Sequence, residues 1–189
     1  MKVTLVQATP NPIETIATIA SICYDSDPKN PMGLVKHLYN NGHMSVMEHI
    51  YFTFKIEGIS RACSHQLVRH RHCSFTQRSQ RYCSEDGFEY ITPESVNGLL
   101  FAADMKSIEE WYADHQAHGI PNEDARMVLP NACETQIEVK MNLRALMNFM
   151  NERLCTCAQW EIRNLAWEMR KQVLLQVPEL EAYLVPKCE

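Results

Sequence analysis

Glycine is scarce in this 189-residue chain, six in all, and none builds a Gly-x-Gly-x-x-Gly turn or a Walker-type lysine loop. Their absence excludes a Rossmann dinucleotide site and a P-loop, so any nucleotide must be held by side-chain clamps. No run of about 18 or more apolar residues occurs, and residues 1–10 lack the charged head and long apolar stretch of a signal peptide. Membrane insertion and secretion are not expected, and the chain reads as cytoplasmic. The eight cysteines lack the paired spacing of zinc sites and are scattered through core-forming segments, so the expectation is free thiols and no metal. Internal repeats and low-complexity tracts are missing as well. A hydrophobic content of 46% then suffices for one compact domain over residues 1–189.

The most telling absence is local. From residue 58 to residue 84 there is no aspartate or glutamate and no lysine, yet the window holds Arg61, His65, Arg69, His70, Arg71, His72, Arg78 and Arg81. Half of the chain's ten arginines thus fall in one stretch of a protein whose net charge is −5. Arginine presents a planar fork of donors that matches phosphate oxygens two at a time, which a lysine point charge cannot do. The window is suited to phosphorylated small molecules. Arg69 and Arg71 stand two apart and would diverge on a helix, so they fit two anions better than one. Ser79 adds a hydroxyl and Arg81 a further fork. The plain alternative is a solvated basic face.

Periodicity places these residues. Residues 3–7 read as a short strand, and Asn11-Pro12 with Glu14 as the capped start of a helix running to about Cys23. Residues 25–30 are polar linker. Asn30-Pro31 starts a second helix, with Gly42 placed to end it. Tyr51 to Ile56 alternate as a half-buried strand that Gly58 ends. Ser60 can cap a helix through Val68, after which residues 73–84 are too polar for a core element. A helix opening at Pro93 carries Leu99, Leu100, Met105, Ile108, Trp111 and Tyr112, and a short one covers residues 121–129. Cys133, Thr135, Ile137 and Val139 alternate with Glu134, Gln136, Glu138 and Lys140 as a second strand. Residues 143–153, 158–176 and a piece after Pro178 are helical. This mixture lacks a βαβ rhythm and indicates an α/β or α+β domain.

A second constellation follows that strand. Asn142 sits at a cap, and Arg144 and Asn148, four apart, share a helix face where an amide and a guanidinium can read a heterocycle's edges. Its ordinary reading is an amphipathic helix with Leu143, Leu146, Met147 and Met150 inward. Arg126, alone beside an apolar run, reads by itself as a snorkelling surface residue. His43 and His49 flank a polar loop and read as structural histidines.

Together these residues resemble a known pattern. Arg69-His70-Arg71, seven residues and then Ser79 is similar to the signature of the flavin-dependent thymidylate synthases, a class unrelated to the folate-only synthase with its nucleophilic cysteine. The resemblance extends through Glu48-His49, Gln66, the run 77–82, Arg126-Met-Val-Leu-Pro130, Asn142-Leu-Arg144, Asn148 to Asn151, Arg153 and Ala158 to Arg163. It implies a compact mixed domain with a central, largely antiparallel sheet flanked by helices, assembled as a homotetramer with active sites between subunits. It also implies reductive methylation of dUMP to dTMP, with methylenetetrahydrofolate as carbon donor and NADPH-reduced FAD as hydride source. Gln66, Arg69, Gln77, Ser79, Gln80, Arg81, Arg126 and Arg153 would correspond to the dUMP-binding set. His49, Tyr51, His70, Arg71, Asn142, Arg144 and Asn148 would correspond to the FAD-binding set. Arg153 would stabilise charge on the pyrimidine as the catalytic group. This chain departs from the pattern at Cys157, where relatives usually carry histidine, and at His65, where some carry arginine. None of the cysteines falls where the resemblance requires a nucleophile. The rival reading is a nucleic-acid-binding module using the Arg69 to Arg81 segment, against which stand the net acidity and a pI near 5.9. A nucleotide phosphohydrolase, the other rival, would need a carboxylate-rich metal motif near the cluster, which is missing.

Overall fold

Four antiparallel strands in the order β1-β2-β4-β3 form the centre of the computed structural model, which describes residues 1–25 and 27–188. They are β1 (Lys2–Ala8), β2 (Tyr51–Ser60), β3 (Cys73–Gln77) and β4 (Glu134–Asn142). The helices are α1 (Pro12–Ser21), α2 (Pro31–Asn40), α3 (Arg61–Leu67), α4 (Gly98–Ala117), α5 (Asn122–Ala125), α6 (Leu143–Arg153) and α7 (Trp160–Gln176). Short 3-10 turns complete the chain at Ile22–Tyr24, Met44–His49, Arg126–Val128 and Pro178–Tyr183. The mixed fold with a largely antiparallel sheet agrees with the sequence reading.

Alternation decides which face of the sheet is covered. Phe52, Phe54 and Ile56 of β2 lie fully buried, as do Ile137, Val139 and Met141 of β4 within 2% exposure. Opposite-facing Gln136, Glu138 and Lys140 stay exposed, as a half-covered antiparallel sheet requires. Onto the apolar face pack Ile16 of α1, Leu67 of α3, Leu146 and Phe149 of α6 and Leu165 and Met169 of α7, giving one contiguous core.

Local chemistry explains most boundaries and corrects several expectations. Asn30, Ser60 and Asn142 cap α2, α3 and α6 by accepting from the N–H groups of Gly33, Cys63 and Ala145. Asn11 does not cap α1: its backbone is left-handed at φ 43° and its side chain bonds none of the helix's amides, so the expected capping box with Glu14 is absent. The Thr15 hydroxyl, which donates to Pro10 and Asn11 carbonyls, fixes that turn instead. Gly58 does not end β2. It sits at φ 73° in a bulge between Ile56 and Ile59, after which pairing resumes to Ser60. A Cβ there would meet the Met1 nitrogen at 3.0 Å.

The segment 73–77, expected to be too polar for an element, is strand β3, pairing with β4 from Cys73↔Met141 to Gln77↔Ile137. An edge strand needs only one apolar row, which Cys73 and Phe75 supply. The polar loop expected after His43 is a 3-10 turn built on buried Met47. Helix α4 starts at Gly98, capped by Asn97, not at Pro93, and it leaves Leu99, Leu100 and Trp111 exposed while burying Met105 and Tyr112. Helix α7 begins two residues later than expected, because Gln159 is its cap. The cysteines are not all free thiols: Cys155 and Cys188 form a disulfide, with Cα atoms 5.6 Å apart.

Candidate active site

The signature residues occupy the turn between α3 and β3. Helix α3 is fixed at its start by a buried relay: the Ser60 N–H and hydroxyl both donate to the Glu161 carboxylate of α7, at 2.7 and 2.5 Å, while the same hydroxyl accepts from Cys63 N–H. After Leu67 the chain leaves the helix, and His72 adopts a left-handed φ of 61° to turn into β3. Arg69 and Arg71 project exposed from this turn, and among the described residues no carboxylate pairs with either.

His70 turns inward. Its Nε2 accepts from Arg153 Nε at 3.0 Å, and its ring meets Phe149 edge-on at 4.9 Å between centroids. Burial, aided by the Arg153 charge, pulls its pKa down to about 4. At neutral pH the imidazole is therefore uncharged, with its proton on Nδ1 and the Nε2 lone pair committed to arginine. Arg153 ends α6 and, half-buried, has its Nε occupied and its two Nη groups without a protein partner among the described residues. The resemblance put His70 with the flavin and Arg153 with the substrate. The structure joins the two sets through this contact.

A cavity of about 230 Å³ lies nearby, lined by Glu48, His72, Asn142, Arg144, Ala145 and Asn148. Three of the residues expected to bind flavin, Asn142, Arg144 and Asn148, thus meet in one place. Arg144 donates to Glu48 at 2.6 Å across its mouth, both side chains being nearly half exposed. His49 and Tyr51 do not line this cavity. His49 is exposed at the end of its 3-10 turn, and the backbone N–H and C=O of Tyr51 bond Thr9, with Lys140 4.0 Å above its ring.

The remaining residues run along β3 and the segment after it. Gln66 is half-buried on α3. Gln77 donates to Ser64 and Thr135 hydroxyls at 2.9 and 3.2 Å, and buried Gln80 reaches Cys133 Sγ at 3.6 Å. Ser79 Oγ accepts from the Arg81 and Tyr82 amides, forming a turn. Arg81 pairs with Glu123 of α5, whose backbone carbonyl also accepts from Arg126 Nε at 3.1 Å. Arg78 is clamped by both oxygens of buried Glu85 at 2.5 Å, and Arg61, its pKa lowered by burial, donates to the Arg78 carbonyl. The window that lacks acids in sequence is therefore partly neutralised in space. Among the described residues, Arg78 and Arg81 are paired with acids, which interrupts the row of free cations that a nucleic-acid backbone would need along this segment.

Four contributors had no site role in the sequence. His72, seen there only as part of the anion window, and Glu48, seen only beside His49, line the cavity. Glu161 lay in the resembling stretch 158–163 without a role and Glu123 carried no signal, since a lone carboxylate gains meaning only from what folding sets beside it. Another cavity, about 460 Å³, lies elsewhere, between the start of α1, the start of α2 and the end of α7. Its lining includes Glu14 and Glu179 and no cationic side chain, so it is unsuited to anions. Among the described residues no three histidines, cysteines or acids gather as a metal-binding group, and no helix is long and apolar enough to cross a membrane.

Comparison with known proteins decides the family. Residues 4–179 match the family model described as thymidylate synthase complementing protein. The chain is 39% identical over 219 aligned residues to the flavin-dependent thymidylate synthase of Clostridium tetani, covering all of this chain and 88% of that protein. It is 42% identical over 205 residues to that of Geobacter sulfurreducens, with the same coverage. The chain belongs to the flavin-dependent thymidylate synthase family. Among solved structures, thymidylate synthase X from Helicobacter pylori, described with FAD and dUMP, superposes with a TM-score of 0.84 at 23% identity, covering 97% of this chain and 99% of that one. That likeness shows the family's fold.

Proposed function

We propose that the two arginine-lined regions around His70 and Arg153 hold dUMP and FAD side by side. The chain is a flavin-dependent thymidylate synthase that converts dUMP to dTMP with FAD as cofactor. The observation that carries the residue-level reading is the His70–Arg153 contact. It brings the signature turn against the end of α6, from opposite halves of the sequence, and leaves charged forks on both sides.

The donor set fits FAD. Arg144, Asn142, Asn148 and His72 around one cavity offer a fork, amides and an imidazole to phosphates and ribose, and Arg71 extends the charge from the adjoining turn. When bound, FAD supplies the hydride, and methylenetetrahydrofolate and NADPH supply carbon and electrons. The protein positions rings and stabilises charge. Uracil is a poor electrophile, so the reaction needs negative charge held on the pyrimidine. Because His70 takes the Nε–H of Arg153, the guanidinium plane is set and its Nη groups remain available for the carbonyl and N3 edge. Arg69, Ser79, Arg81 and Arg126, with Gln66, Gln77 and Gln80, are assigned to dUMP. Arg81 and Arg126 would exchange their present contacts with Glu123 for phosphate. His49 and Tyr51 are assigned to the outer parts of FAD.

A 230 Å³ cavity is smaller than the roughly 300–1,000 Å³ that enclose small ligands, and FAD is larger than most. We assign this cavity to one part of the FAD site, with the remainder supplied by a neighbouring chain. This supports residues 1–189 acting as single domains in a homotetramer with active sites between subunits. Phosphorylated nucleotide substrates support a cytoplasmic setting. The deciding experiment is the absorption spectrum of the purified protein. A flavin band bleached by NADPH faster in the presence of dUMP is expected, and a protein that cannot be loaded with FAD would refute the assignment.

A further inference from the structure

The reaction leaves the cysteines without a role, yet one pair is tied to the assigned catalytic residue. Helix α6 ends at Arg153, and Cys155 follows two residues later, 8% exposed, in the loop leading to α7. Its partner Cys188 is exposed near the end of the chain. The intervening tail is docked at two points. Leu184, fully buried, accepts from Arg170 of α7 at 2.8 Å, and Lys187 N–H donates to the carbonyl of Asn151 at 2.9 Å. Asn151 lies in the last turn of α6, whose final carbonyls have no partner within the helix. The tail thus caps the turn that presents Arg153, and the disulfide pins that cap in place.

We propose that the Cys155–Cys188 disulfide is a redox-sensitive lock on the last turn of α6, holding Arg153 against His70 when closed and loosening it when reduced. The lock rests on the assignment of Arg153 as the charge-stabilising group. A disulfide in a thiol-reducing compartment is typically transient, as a lock requires. Attack comes from outside: the thiolate of a dithiol bonds the exposed Cys188 sulfur and expels Cys155 as a thiolate, which takes a proton. The second thiol of the reductant then displaces Cys188, so that one dithiol becomes a disulfide and two protein thiols form. Oxidised glutathione reverses the change by exchange, releasing two glutathione thiols. The bond closes a loop across a sequence separation of 33 residues that contains all of α7, so its opening frees the tail without cutting the core.

The test uses FAD-loaded full-length enzyme, oxidised with oxidised glutathione or reduced with dithiothreitol and desalted without air. Hydrogen exchange is followed in peptides spanning residues 150–157 and 184–188, together with flavin content and dUMP-dependent turnover. Reduction should speed exchange in both peptides and lower kcat by at least about threefold, the scale of a sub-kcal/mol misplacement, with flavin content unchanged and reoxidation restoring both. C188S should behave as the reduced enzyme in either buffer, and C155S should match it. Unchanged exchange on full reduction would sink the lock, and so would faster exchange with unaltered turnover. Full turnover in R153A would instead remove the Arg153 assignment, leaving the exchange result to judge the lock by itself.

Discussion

Arg69 and Arg71 stand exposed in the turn after α3, and among the described residues no carboxylate pairs with either, whereas Arg78, only seven residues beyond Arg71, is gripped by both oxygens of buried Glu85. Arg81 is paired too, but with exposed Glu123. One residue type thus serves three ends within a short stretch. A fork whose charge is satisfied by a buried partner holds the segment 78–85 together, and one satisfied at the surface can exchange partners. A fork left unsatisfied by its own chain is poised for an anion from outside. Positive charge in a sequence reports the capacity to bind anions, and only the position of the acids says where that capacity remains available.

The comparison can be broken experimentally. The largest effect is expected at Arg153, on the unsatisfied side: R153A should reduce turnover by about a hundred- to a thousandfold, the usual consequence of removing one preorganised charge-stabilising donor, while the flavin spectrum is retained. Unchanged turnover would remove it from its assigned role. On the satisfied side, E85A should lower the unfolding free energy by about 2–3 kcal/mol, read as a shift in the urea midpoint, because the Arg78 charge is stranded in a partly buried setting. A shift within experimental error would mean that the Arg78 clamp is not structural.

His70 should produce a smaller and pH-dependent effect. Its folded pKa of about 4 lies below the ordinary value of 6.5, so the unfolded chain takes up a proton that the folded one refuses. The native state's advantage is whole above pH 6.5 and declines as the pH falls towards 4. Urea titrations at pH 7, 5.5 and 4.5 should show that loss, and H70N should flatten it. Equal slopes for both proteins would contradict the depressed pKa. The smallest effects on stability are expected at the exposed forks. R71A and E123A should each stay within about 0.5–1 kcal/mol of the parent, although R71A should weaken FAD retention. If R71A unfolds as readily as E85A, the distinction between the two regions fails.

Much of this was legible in the chain. The alternation of β2 and β4, the caps at Asn30, Ser60 and Asn142 and the signature from Arg69 to Ser79 are local facts, and each was read from neighbouring residues. Strand β3 was not, because an edge strand with one buried row looks like a polar loop until β4 supplies its hydrogen bonds. Asn11 had the composition of a cap and failed as one because its left-handed backbone turns the side chain away from the helix's amides. The exposure of Leu99, Leu100 and Trp111 on a helix with ordinary spacing was hidden too, since periodicity cannot say whether anything packs against a face.

By itself, the sequence determined the family, the residue types available to grip two anionic ligands and the period of each main element. These depend on order and spacing along the chain. Tertiary structure alone decided that His70 would be neutral and joined to Arg153, that Arg78 would be consumed by Glu85, and that Cys188 would return to Cys155. Burial and charge pairing are properties of distances in space, and residues 70 and 153, or 155 and 188, become neighbours only once the sheet has brought α3, α6 and α7 together.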